Sequence, residues 1–515
     1  MGNTLAEAGM GMRVTLFATL VLSISIATAA FFTPLKNLFS SYSIQYYTYV
    51  PAKTVLSAVD TSGMPPAIAV PILMYHGVND HLDEVNTTID NFISHMEMLK
   101  RNGYATISVA EYDLWRQGKF ILPPKPIIIT FDDGRKDSYY TTDDVLKKLG
   151  FKATIFVATG PAYDANPFYL DWEELRQMKS SGRWEIEAHG RYSHHKIQIA
   201  KGATADIQMG RYLTSKLYLP DENRIETDAE FKERVEGDYV SGLNDLRVNV
   251  GVNPHYFSIP LNDYGQQPIS NYVGAVPFNQ ELIRKYFKLA FIQANSSDDV
   301  SSIHLPVYNY KSDSSYLTKR IEVKNMSTQL LEMVLNDQAP RPPALNLTPE
   351  SFSSATLIKD FFSGTMRVVP EGLELQAAEI GENGQVVFGE QHWQNYQARA
   401  SIERTAGRSA SLLFYVKDGK NYMSFGLSDN SFYLRATVDG KTIDLAPPRP
   451  AGVSQYGSIA YGISVKDGKV TCSINGLPIY SGVTVPVSNG AVGVRVWSDI
   501  TKGAGIVGSL EVKSL

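Results

Sequence analysis

Two stretches of this sequence gather groups able to do hydrolytic chemistry. In Thr130–Gly134, TFDDG, two carboxylates stand side by side directly after the apolar run Pro126–Phe131 and before a glycine. Adjacent carboxylates repel unless their roles are separated, and a cation on one leaves the other free to accept a proton. In Glu185–Ile197, EIEAHGRYSHHKI, three of the chain's nine histidines, His189, His194 and His195, fall within seven residues. Two imidazoles and one carboxylate leave open positions on a divalent ion, which suits Lewis-acid hydrolysis better than a closed structural site. Each stretch also has a plainer reading, an Asp-Gly turn for the first and a solvated histidine cluster for the second. His76 follows the apolar run Val70–Tyr75 and is a further polar candidate, the first choice for a general acid.

These residues need elements to position them. VPILMY (70–75), PIIITF (126–131) and KATIFVA (152–158) are continuous apolar runs, the pattern of strands buried on both faces. Between them, Asn91–Gly103 and Thr141–Gly150 have helical periodicity and end in glycine. Alternation of this kind predicts a parallel sheet covered by helices, most economically a (β/α) barrel, whose chemistry sits at the C-terminal ends of its strands. Asp171 followed by Glu174 reads as a capping box opening a helix. Lys201–Val250 is charged and reads as an excursion from the barrel. After the Pro-rich Asp337–Pro349 the pattern changes to strands about every ten residues, with Asp-Gly at 418, 439 and 467 and Asn-Gly at 475 as hairpin turns. That predicts a separate antiparallel β-sandwich. Trp393 and Trp497 are its candidate ligand platforms, or core residues.

The motifs of the first half resemble the polysaccharide deacetylases of carbohydrate esterase family 4, the NodB-homology domain. The resemblance runs over about Val70–Val323 and rests on PILMYHGV (71–78), TFDDG, FKATIFVATG (151–160), LDWEELRQMKSSGRWEIEAHGRYSHH (170–195) and FSIPLNDYG (257–265). It implies a distorted (β/α) barrel of NodB type, with Asp132 as base and Asp133, His189 and His194 as ligands of a divalent metal, Zn2+ first and Ni2+ or Co2+ as alternatives. The histidine spacing of five is similar to the branch that de-N-acetylates poly-N-acetylglucosamine, so the implied substrate is an N-acetylated envelope or extracellular polysaccharide. Pro260, Asn262, Asp263 and Tyr264 stand where the family's third motif meets substrate. Two departures from the family accompany these matches. The third motif has Ser258 and no Arg, leaving Asn262 or Asp263 to orient the base, and the late motif that supplies the acid is absent, with His304 the only histidine near its place. They keep open a non-catalytic polysaccharide-binding protein, and a glycoside hydrolase is a third reading. Residues Phe352–Leu515 resemble concanavalin-like jelly rolls of the laminin-G type, a likeness of fold with no site attached.

Composition bounds the partners. In 515 residues, 48 Lys and Arg face 53 Asp and Glu, a formal net charge of −5 with no basic run, which argues against nucleic acid. The single cysteine, Cys472, rules out an intrachain disulfide and a Cys-rich metal site. Val14–Phe32 is uncharged and apolar after Arg13, and Ala27-Thr28-Ala29 offers a cleavage site, so the segment reads as an export signal, with a membrane anchor as the alternative. Export without disulfides fits a periplasm or cell envelope. The expected layout is 1–32 signal or anchor, 33–69 stalk, 70–336 catalytic domain, 337–350 linker and 351–515 sandwich.

Overall fold

The computed structural model describes residues 46–51, 59–64, 66–81, 83–201, 209–295, 307–311, 313, 315–355, 362–452 and 457–515. The export segment, most of the stalk and His304 lie outside them. The chain divides into two compact units, Met1–Ala339 and Pro340–Leu515.

Seven parallel strands of the first unit close on themselves: β1 Ile72–Tyr75, β2 Pro126–Phe131, β3 Ala153–Val157, β4 Trp184–Ala188, β5 Tyr256–Ser258, β6 Leu289–Asn295 and β7 Leu317–Glu322. Each pairs with the next, and β7 returns to β1 with Ile321 opposite Leu73. Alternation along the strands sorts the side chains. Ile127, Ile129 and Phe131 of β2 join the larger cluster under the helices. Ile128 joins Phe156, Tyr256 and Phe291 in a second cluster. Thr130 and Asp132 continue the Ile128 side of the strand, which is why an acid at position 132 points where an acid at 131 could not.

The helices follow the local signals. Thr88 caps α1, Ile89–Arg101, through the Asn91 N–H, and Gly103 ends it at φ 76°. Asp171 and Glu174 form the expected reciprocal capping box at the start of α2, Trp172–Ser180. The charged excursion pairs Met209–Arg211 with Lys196–Gln198 before it and Tyr218–Leu219 with Arg224–Ile225 within it, and continues into the 22-residue α3, Asp228–Asn249, opened by a second capping box at Thr227 and Glu230. No helix among the described residues is long and apolar enough to cross a membrane.

The second unit is built from an eight-stranded and a six-stranded antiparallel sheet. Val386, Leu412, Phe425 and Leu434 of the smaller sheet share one core with Leu375, Ile402, Ile463 and Leu510 of the larger, so the two sheets form a sandwich. At Asp439-Gly440 and Asn475-Gly476 both residues have positive φ, the paired left-handed conformation that tight hairpins require. Residues 344–347, inside the stretch read as a linker, instead form the strand Ala344–Leu347 against Ala504–Ser514. Pro340, Pro342 and Pro343 precede that strand and Pro349 follows it, so none removes a ladder donor from it. Trp393 is buried, and its indole N–H donates to the Arg341 carbonyl.

Candidate active site and metal centre

The C-terminal ends of β1, β2, β4 and β5 bring the sequence motifs to one place. Asp132, the residue after β2, is anchored by its own N–H to the Tyr75 carbonyl at 3.0 Å. Its carboxylate takes two parallel hydrogen bonds from Arg320 of β7, Nη1 to Oδ1 at 2.7 Å and Nη2 to Oδ2 at 2.8 Å, and a third from Ser258 Oγ at 2.8 Å. Arg320 is 1% exposed and also donates to Ser258 Oγ and Thr130 Oγ1. Burial pushes the Asp132 carboxyl up, but Arg320, helped by His189 and His76, overrides it and holds the group at about 2.

Asp133 sits at φ 76°, a left-handed turn that sends its side chain away from that of Asp132. Its Oδ1 lies 3.5 Å from His189 Nε2 and 3.3 Å from His194 Nε2. The two imidazole Nε2 atoms are 2.8 Å apart. His189 is fully buried and its Nδ1 donates to the Ser258 carbonyl at 2.7 Å, which turns the Nε2 lone pair toward Asp133 and His194. Ser258 thus holds the carboxylate of Asp132 through its hydroxyl and the ring of His189 through its carbonyl.

Three donor atoms from Asp133, His189 and His194 converge within 4.8 Å of one another. Asp133 Oδ1 is buried and accepts no hydrogen bond among the described residues. Burial pushes the Asp133 carboxyl up, yet the neighbouring histidines hold it well below the carboxylate range. His194 is pushed down to about 4 by burial and by His189, and is therefore neutral near pH 7. His189 is raised despite burial because the carboxylates of Asp132 and Asp133 face it. An orphaned anionic oxygen beside two imidazole nitrogens fits a divalent cation, and this donor set suits zinc and its neighbours.

His195 is exposed, with its ring against Tyr192 at 5.1 Å, and is not one of the three converging donors. His76 is half-buried just beyond β1, near enough for its charge to act on both Asp132 and Asp133. Pro260 opens a single 3-10 turn, Pro260–Asn262, in which Leu261 and Asn262 both have positive φ. Asn262 is spent on Gln293, donating to its carbonyl at 3.2 Å and accepting its N–H at 3.0 Å. Asp263 is buried against Arg211 and Thr214, both at 3.1 Å. Tyr264 is half-buried on the barrel core. The expectation that Asn262 or Asp263 orients Asp132 is therefore corrected: Arg320 and Ser258 hold its carboxylate. The signal for Arg320 was an arginine at an inward position of a strand, but LTKRIE carries too little apolar pattern to reveal that strand.

Residues 121–272 match the sequence profile of the polysaccharide deacetylase family. The match lies within the first unit and spans β2 to β5. Over 246 residues the chain is 27% identical to a poly-beta-1,6-N-acetyl-D-glucosamine N-deacetylase of Escherichia coli K12, covering 45% of this chain and 35% of the relative. Over 120 residues it is 36% identical to the putative polysaccharide deacetylase YxkH of Bacillus subtilis 168, covering 23% of this chain and 42% of the relative. A solved structure of a de-N-acetylase from Aggregatibacter actinomycetemcomitans aligns over 52% of this chain and all of that one, at 20% identity and a TM-score of 0.41. The chain spans about a third of the length of the E. coli relative it matches.

Proposed function

We propose that the first unit removes N-acetyl groups from an exopolysaccharide of the poly-N-acetylglucosamine kind, using a divalent metal, Zn2+ before Ni2+ or Co2+. The observation that carries this reading is a carboxylate locked by Arg320 and Ser258 beside the Asp133, His189 and His194 cluster. A cation held by those three residues would supply Lewis acidity toward an amide carbonyl and toward water. Asp132, ionised at any pH above about 2, accepts the proton of the attacking water. In the turn at Pro260 the Asn262 and Asp263 N–H groups already donate to the Ile259 and Pro260 carbonyls, which leaves the Leu261 N–H for the developing oxyanion, and His76 delivers a proton to the leaving amine. Pro260, Asn262, Asp263 and Tyr264 shape the substrate side, Asn262 and Asp263 by holding the turn.

Glycoside hydrolysis is disfavoured by the same geometry. It needs one carboxyl protonated near neutral pH, and both Asp132 and Asp133 are held low. Arg320 also answers one of the two departures that suggest a degenerate domain. The N-terminal segment is read as a signal for export to the periplasm or envelope, or as an anchor there, and the sandwich as a jelly roll that binds polymer. Ending the chain at Ala339 then costs activity on insoluble polymer and spares it on soluble oligosaccharide. Acetate release from an N-acetylated oligosaccharide, with and without chelator, tests the proposal.

A further inference from the structure

The segment between the two inward histidines rests on one face of α3. Asp238, Gly242 and Asp245 are spaced by four and three residues and so share that face. Asp238 is 5% exposed and receives three hydrogen bonds from the segment. Its Oδ2 accepts from the Arg191 N–H at 3.0 Å and from Ser193 Oγ at 2.7 Å, and its Oδ1 from the Tyr192 N–H at 2.6 Å. One turn on, a Cβ at Gly242 would stand 3.0 Å from the Gly190 carbonyl carbon and 3.2 Å from its oxygen. A Cβ at Gly190 would run into Ser193 Oγ and stand 2.8 Å from Asp238 Oδ2. Asp245 completes the strip, 3.3 Å from Arg191 Nε and accepting from Thr159 Oγ1 at 2.9 Å.

Resting on the deacetylase reading, we propose that Asp238 is the positioning residue that turns the five-residue spacing from His189 to His194 into an ion-binding arrangement, with Gly242 providing the close approach. Three donors face one carboxylate, and only a carboxylate accepts on both oxygens. An amide would set an N–H against an N–H, releasing Tyr192 or the Arg191–Ser193 pair. A loop held before the ion arrives loses no ordering entropy on binding, so releasing it weakens affinity without touching a ligand.

The test is Co2+ titration of the metal-free full-length protein against a competing chelator, following the cobalt absorption band, for wild type, Asp238→Asn and Gly242→Ala. Asp238→Asn should bind Co2+ about 10- to 100-fold more weakly, with a changed band. Hydrogen exchange on the metal-free protein should show the Arg191 and Tyr192 amides losing protection. Gly242→Ala keeps every hydrogen-bonding group and should move affinity in the same direction, which carries the test should Asp238→Asn fail to fold. Unchanged affinity and band in the variants, with wild type binding Co2+, overturns the role of Asp238 alone. Weakened binding with both amides still protected assigns the loss to charge, and overturns it too. Wild type that binds no Co2+ overturns the deacetylase reading and this inference together.

Discussion

Replacing Arg320 by Met removes the only cation hydrogen-bonded to Asp132 among the described residues and leaves a carboxylate, 3% exposed, held by Ser258 alone. Holding that carboxyl at about 2 instead of its ordinary 3.8 corresponds to about 2.5 kcal/mol in favour of the charged form. The group is depressed in the folded state. Its contribution to stability is therefore complete above its ordinary range and is lost as pH falls from about 4 toward 2. Without Arg320 the burial that now opposes ionisation wins, and the carboxyl rises above its ordinary value. Breaking a buried pair by deleting one partner costs about 3–5 kcal/mol, so Arg320→Met should unfold on the order of 10 °C below wild type. Its activity should show an acidic limb displaced toward neutral pH and recover as pH is raised, because the base must lose a proton that wild type does not carry. Arg320→Lys keeps the charge but not the fork and should fall between the two. The assays are thermal unfolding at pH 7 and acetate release from pH 4 to 9. Arg320→Met with wild-type stability and a wild-type pH profile would refute the role given to the pair.

Asp132→Asn should keep stoichiometric metal and lose at least about a hundredfold in acetate release, whereas Asp133→Asn and His194→Ala should lose both; elemental analysis beside the acetate assay separates them. His195→Ala should keep its metal and at least about a tenth of the rate, a loss under ~1.4 kcal/mol. Glu187 of β4 is 6% exposed and accepts the N–H groups of His255 and Tyr256. Burial and then Glu185 hold its carboxyl well above the glutamate range. An acid raised in the folded state makes stability fall as pH climbs past its unfolded value, so Glu187→Gln should flatten the decline of urea midpoints above about pH 5, and an unchanged slope contradicts this.

What the sequence revealed tracks how local each signal is. TFDDG and the apolar run before it lie in one element, and the capping box of Asp171 and Glu174 is three residues long; both were legible because neighbours in sequence are neighbours in space. Arg320 was not, since its partner Asp132 is 188 residues away and the pairing exists only once β7 closes the ring on β1. Asp238 was hidden for the same reason, in a charged stretch whose helix shows its purpose only through the loop it holds. Residues 344–347 misread as linker because two prolines dominate the local composition, while the strand's partner lies at the chain's far end.

The most direct measurement is acetate released from a poly-β-1,6-N-acetylglucosamine oligosaccharide by the purified protein, before chelation, after chelation and after Zn2+ is restored. The account predicts turnover that chelation abolishes and Zn2+ returns, with no cleavage of the glycosidic chain. Turnover indifferent to chelation, shortened oligosaccharides, or polymer binding without acetate from the metal-loaded protein would contradict it.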